Sequence, residues 1–199
     1  MDLTVNNYSL IRVVQHVAFA LLLVLGTSSF GAASRIDQSQ TRGDYGFWFD
    51  DLVPRWQEFF PSIPKLAEVS VWITKWGQPG NLTIEVTDRH FLVLNKVTLN
   101  ERNVETGWVL VSFAEPLELE VDERYRIRVY ADQDSLDSEN RYFWRGSNTD
   151  NYGLDARNSV YSAWPAFDFA FITHALPNPV NVSGLSAPMI KAALDEGNQ

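Results

Sequence analysis

The chain contains no cysteine. That excludes disulfide staples, thiolate metal sites, thiol nucleophiles and lipidation of an N-terminal cysteine. Histidine is nearly as scarce, with 3 among 199 residues. His90 and His174 stand alone, without a second ligand two or four residues further on. There is no G-x-S-x-G, no H-E-x-x-H and no phosphate loop, so no catalytic motif is present and the chain is expected not to be an enzyme. Positive charge is also in short supply: Lys and Arg total 16 against 25 Asp and Glu, for a net charge of −9. Nucleic-acid binding rests on neutralising phosphates with Lys and Arg, so nucleic acid is excluded as a partner. Neutral glycans, cations and other proteins remain compatible with such a surface. Long apolar runs are missing as well. The strongest, residues 17–26, is about ten residues long, whereas a bilayer span needs roughly 20.

That short run sits in an informative setting. Arg12 supplies a basic flank, and the small residues Ser28, Ser29, Gly31, Ala32, Ala33 and Ser34 follow it. The arrangement predicts a signal peptide over residues 1–33, cleaved near Ala33 or Ser34. Asp2 makes the start less basic than usual, which keeps an uncleaved anchor as the alternative. The expected location is secreted or cell-surface, extracellular or periplasmic, with no membrane association after cleavage. Without cysteines, such a domain must draw its stability from its core or from a bound ion.

Beyond a polar lead-in over residues 34–44 the pattern is β to about residue 174, with period-two alternation in five segments and one long irregular region over residues 132–166. Val69, Val71 and Ile73 alternate with Ser70, Trp72 and Thr74, and Leu82, Ile84 and Val86 with Thr83, Glu85 and Thr87. The same pattern recurs in residues 109–113, 117–121 and 125–130. Residues 142–145 form a weaker strand and residues 167–173 a closing one. Gly77–Asn81, Glu105–Gly107 and Asp122–Glu123 supply turn chemistry between them. Half-buried antiparallel strands with frequent turns predict an all-β fold, an antiparallel β-sandwich of jelly-roll type over residues 45–176. Residues 177–199 form a separate tail, either a short helix capped by Ser186 with Pro188 in its first turn, or a disordered terminus.

Several stretches resemble a known group. Asp37–Thr41, Tyr45–Asp51 and Arg55–Phe59 with Pro61 are similar to the opening of secreted microbial β-sandwich modules, jelly-roll carbohydrate-binding-like domains of the choice-of-anchor type. Gly80–Val86, Gly107-Trp108, Tyr125–Tyr130, Arg141–Gly146, Trp164 and Asp168–Phe171 extend the resemblance over residues 37–174. It implies a sandwich, an exported setting and a suspicion of glycan binding, and it assigns no binding residue.

The candidate binding residues come from side-chain chemistry. Trp144, Arg145, Asp150, Asn151, Tyr152, Tyr161 and Trp164 fall in the irregular region and combine ring platforms with planar hydrogen-bonding groups. Trp72 and Tyr130 lie on the polar register of their strands beside Thr74, Arg126 and Arg128. Aromatic faces stack on sugar C–H groups while Arg and Asp take hydroxyls. The expected partner is a polysaccharide or glycoconjugate, and the same rings could instead pin a long loop. Asp132, Asp134 and Asp137 crowd carboxylates into one loop that could hold Ca²⁺, or simply be solvated. Asp168, between Phe167 and Phe169, must be paired, hydrogen-bonded or metal-bound if buried, and Arg126 or Arg128 could be its partner. Trp56, Phe59, Phe60, Trp108, Phe169 and Phe171 are expected to fill the core. The function this supports is an exported, non-catalytic glycan-binding module. The alternatives are a structural or adhesive surface protein that engages other proteins and, more remotely, a glycan-active hydrolase with a carboxylate pair.

Overall fold

The computed structural model describes residues 33–132, 138–148, 152, 156–160 and 162–176. The chain divides into two compact units, Met1–Ala32 and Ala33–Gln199. The expected signal peptide, apart from Ala33, and the expected tail lie outside the described residues.

Alternation of β-branched and aromatic residues with polar ones produces strands throughout the described part of the second unit. They are β1 (Arg35–Gln40), β2 (Tyr45–Phe49), β3 (Arg55–Phe59), β4 (Lys65–Trp76), β5 (Leu82–Asp88), β6 (Val93–Leu99), β7 (Gly107–Glu118), β8 (Tyr125–Ala131), β9 (Arg141–Ser147), β10 (Asp168–Phe169) and β11 (Phe171–Ala175), with a 3-10 turn at Glu101–Asn103. All their pairings are antiparallel.

Sheet one is built on β4. One side of β4 pairs with β7, and its other side pairs with β11 over Leu66–Val71 and with β9 over Ile73–Trp76. Next out lie β1 beside β11 and β2 beside β9. Sheet two has the order β3-β8-β5-β6. Taking β1 with β2, and β9 with β10 and β11, as single strand positions gives eight positions in chain order. Their sheet orders, 1-8-3-6 and 2-7-4-5, form the jelly-roll arrangement of an antiparallel β-sandwich.

The space between the sheets is filled by inward-facing residues. Val69, Val71 and Ile73 of β4, Ile84 and Val86 of β5, Ile127 and Val129 of β8, and Phe59 and Phe171 are all fully buried. Each such side chain stabilises the fold by about 1.5–3 kcal/mol through removal from water. The closing strand changes partner within this core. Asp168 and Phe169 pair with β9, the amide of Ala170 donates to the Arg145 carbonyl at 2.8 Å, and from Phe171 onward the chain pairs with β4. Gly146 lies under this crossing, where an added methyl group would run into the Asp168 carbonyl and the Phe167 ring.

Two expectations about chain organisation change. Residues 35–40, expected as lead-in, form β1 and pair with β11, so the sandwich begins earlier than residue 45. The two runs at 109–113 and 117–121 merge into β7, which continues through Pro116 to Glu118 before turning.

Trp144→Ala is expected to cost about 3–5 kcal/mol, because it empties a large core site. Gly146→Ala should cost about 1–3 kcal/mol through overpacking at the strand crossing. Urea unfolding of both variants measures this. A near-wild-type midpoint for either would contradict the crossing as described.

Candidate functional site

The six expected binding residues that are described, Trp72, Tyr130, Trp144, Arg145, Tyr152 and Trp164, do not all converge. Trp144 is a correction: it faces inward on β9, is 0% exposed, stacks on Phe169 at 4.6 Å and donates its indole N–H to the Ala170 carbonyl at 2.8 Å. A ring with no accessible face cannot receive a sugar. Arg145, on the opposite face of β9, donates to the carbonyls of Gly43 and Asp44 and thereby holds the β1–β2 connection. Tyr152 is pinned beneath the sandwich rim. Its hydroxyl donates to Gln38 Oε1 at 2.7 Å and accepts from the Phe60 amide, and its ring meets Phe171 edge-on. Trp164 is 40% exposed and leans on Tyr45 and Phe47 at one end of the sandwich. Asp150, Asn151 and Tyr161 lie outside the described residues.

Trp72 and Tyr130 both face outward, but from different sheets. Tyr130 sits on sheet two under the Arg128 guanidinium, 5.2 Å from its ring centre. Trp72 sits on sheet one, where Gly43 packs against one side of its ring and Trp108 stacks on it at 5.6 Å.

The outer face of sheet one is the more exposed of the two. Trp108, expected in the core, faces outward on β7 because Val109 and Val111 take the inward register, and it is 42% exposed. Beside it on the same strand, Leu110 is 52% exposed. Four residues along β4 from Trp72, Trp76 is 54% exposed and rests on Phe143 at 4.6 Å. Thr74 lies between the two tryptophans of β4 on the same face, opposite Phe143. Beyond Phe143, Trp48 lies under the Arg141 guanidinium at 4.9 Å. The result is a strip of indole and phenyl rings in which Trp76 and Trp108 are exposed, with Gly43 of the β1–β2 connection, between Arg42 and Asp44, against Trp72.

The outer face of sheet two is built from buried charge instead. Glu58 accepts two hydrogen bonds from Arg126 on Oε1, and the Arg157 amide on Oε2. Glu85 accepts from Arg128 at 2.6 Å. Arg126 lies between Trp56 and Phe91, at 4.9 and 4.1 Å from their ring centres, so Trp56 is an outward ring rather than the core residue expected. Both arginines serve these glutamates and not Asp168, a second correction. The Asp168 carboxylate accepts from Gln57 Nε2 and from the Tyr152 amide, while Gln57 Oε1 accepts from the Phe169 amide, which links the two sheets. Breaking one partner of a buried ion pair typically costs about 3–5 kcal/mol.

Of the proposed calcium ligands, Asp132 uses both carboxylate oxygens to accept from Asn81, at 2.7 Å each, and so ties β5 to β8. Asp134 and Asp137 lie outside the described residues. Among the described residues there is no group of three or more His, Asp or Glu able to hold a metal ion, and no helix is long and apolar enough to cross a membrane.

Burial raises the Tyr142 phenol pKa, and it raises that of Tyr152 to about 12, with the nearby Asp37 and Asp168 charges adding to the effect and the Phe60 amide opposing it. Tyrosine in the unfolded chain ionises near 10.0. Between those values only the unfolded chain gives up these protons, so stability is full below about pH 10 and falls as pH rises towards 12. Urea midpoints followed across that range, together with phenolate absorbance, should show this decline, and Tyr152→Phe should flatten it. An unchanged profile in the variant would contradict the assignment. Scans against protein-family models and curated proteins find no match for the chain, so the functional reading rests on the chemistry of these two faces.

Proposed function

We propose that the protein is an exported, non-catalytic glycan-binding module whose ligand lies along the outer face of sheet one. The observation that carries this reading is the pair of exposed tryptophans, Trp108 and Trp76, each backed by a second ring on the same outward sheet surface. Ring faces held by aromatic neighbours, stacked for Trp108 and tilted at 58° for Trp76, suit the axial C–H groups of a pyranose, which gains contact area with little loss of side-chain freedom. Four residues of β4 separate Trp72 from Trp76, about 13 Å at 3.3–3.4 Å per residue. That separation suits a ligand of several sugar units rather than one. Thr74 between the rings and Arg42 and Asp44 at the border supply hydroxyl partners.

A second reading draws on Leu110. A branched aliphatic side chain beside Trp108 offers a sugar little, and it favours a protein partner or self-association, as in an adhesive surface protein.

Binding to a panel of polysaccharides by calorimetry and affinity electrophoresis tests the first reading. Trp108→Ala and Trp76→Ala should each weaken binding roughly tenfold or abolish it, as loss of a stacking platform in a desolvated contact implies. Retention of full affinity in both variants removes the proposed face. If no polysaccharide binds, and self-association disappears in Leu110→Glu, the adhesive reading stands instead.

A further inference from the structure

We propose that a groove at one end of sheet two binds the carboxylate of a uronate-type acidic saccharide, with Arg124 and Arg89 as the carboxylate-holding pair. The proposal rests on the glycan-binding reading but uses none of its residues. The groove consists of two adjoining hollows of about 470 and 310 Å³, formed by the β5–β6 and β7–β8 connections. Arg89, His90, Glu123 and Arg124 line both.

The three arginines near this groove are not equivalent. Arg126 is consumed by the fold: its Nε and one terminal nitrogen donate to Glu58, and its other terminal nitrogen donates to the Arg89 carbonyl at 2.6 Å. Arg124 is only anchored. Its Nε faces Glu58 Oε2 at 3.5 Å and its guanidinium lies over the Phe60 ring at 5.7 Å. Among the described residues no protein group accepts from its two terminal nitrogens. A guanidinium fixed by its Nε and its flat face, with its fork turned to a hollow, is pre-set for bidentate binding of a carboxylate. Arg89 adds a second fork. Its Nε donates to His90 Nε2 at 3.1 Å, and its backbone is held by Arg126.

The walls are stiff. Phe91 and Asp122 are the non-glycine residues with positive φ among those described, at 65° and 63°, one in each connection. The Asp88 carboxylate holds the first turn by accepting from the His90 and Leu92 amides. Such costly backbone conformations persist only where the surrounding structure holds them, so both connections have a defined shape.

The rim selects among anions. The Glu120, Asp122 and Glu123 carboxylates have no partner among the described residues, so they accept hydroxyl bonds and repel additional negative charge. A polyphosphate or nucleic acid is disfavoured on that ground. A peptide carboxylate would need a slot for its last side chain, and Phe60, the ring that lines the larger hollow, is already covered by Arg124. One carboxylate set among hydroxyls meets every group present.

Calorimetric titration with a galacturonate disaccharide, its neutral galactose counterpart and an N-acetylated dipeptide with a free carboxylate tests this. The uronate should bind, with neither of the others matching it. Arg124→Gln and Arg89→Gln should each weaken it roughly tenfold or more, the worth of a charge-assisted hydrogen bond. Arg89 is exposed, so its variant keeps the test valid should Arg124→Gln perturb folding. Trp108→Ala should leave uronate affinity unchanged, which separates the groove from the sheet-one face. Absent uronate binding, equal binding of the neutral sugar or the dipeptide, or indifference to both arginine variants would each overturn the proposal, whatever happens at Trp108.

Discussion

The carbonyl of Ala170 is where the sandwich is held together. It accepts from the Trp144 indole at 2.8 Å and from the Trp72 amide at 3.3 Å, at the point where the closing strand leaves β9 for β4. A strand that changes partner would leave a buried backbone group unpaired, at a cost of about 1–3 kcal/mol, without these two donors. Trp144 supplies the shorter of the two bonds from a side chain, and its ring packs on Phe169 of the closing strand. Because side chains alternate, the register that turns Trp144 inward also turns Arg145 and Phe143 outward, and the register of β4 sends Trp72 to the same outer surface. The exposed rings of sheet one therefore have their positions set by a buried contact.

The two outer faces show two ways of finishing a sheet. Sheet one carries a strip of rings of which Trp76 and Trp108 are exposed. On sheet two, Glu58 and Glu85 pair with Arg126 and Arg128, whose guanidiniums lie against Trp56 and Phe91 and against Tyr130 respectively, and the charges are matched within the face itself. In a chain without disulfides, these pairs and the Gln57 and Asp168 link between the sheets supply specific polar ties that a purely apolar core lacks. The groove proposed for carboxylates arises at the edge of that layer, where Arg124 is the one arginine held by Glu58 through its Nε alone.

The legible parts of the sequence were those governed by period two. The alternation in β4, β5 and β8 appeared directly, as did the turn at Gly77–Asn81 and the outward placement of Trp72 and Tyr130. The strand β6 was less visible, since it is an edge strand and its apolar residues Val93 and Leu94 are exposed rather than alternately buried. Trp56 and Trp108 were misplaced because size suggested burial, while their own registers, beside Gln57 and Val109, turn them outward. For Trp144 the error ran the other way. Chain position groups it with Arg145 and the irregular region around its weak strand, yet Tyr142 and Trp144 share the inward register of β9.

By itself the sequence determined the strand periodicity, the turn positions and the need to stabilise the fold without covalent cross-links, because each follows from residue type and local spacing. Which rings face solvent, which arginine serves which glutamate and where two turns close into a groove were decided by the tertiary structure alone. Those outcomes depend on register between strands far apart in the chain, and a shift of one residue in that register exchanges the two faces of a strand.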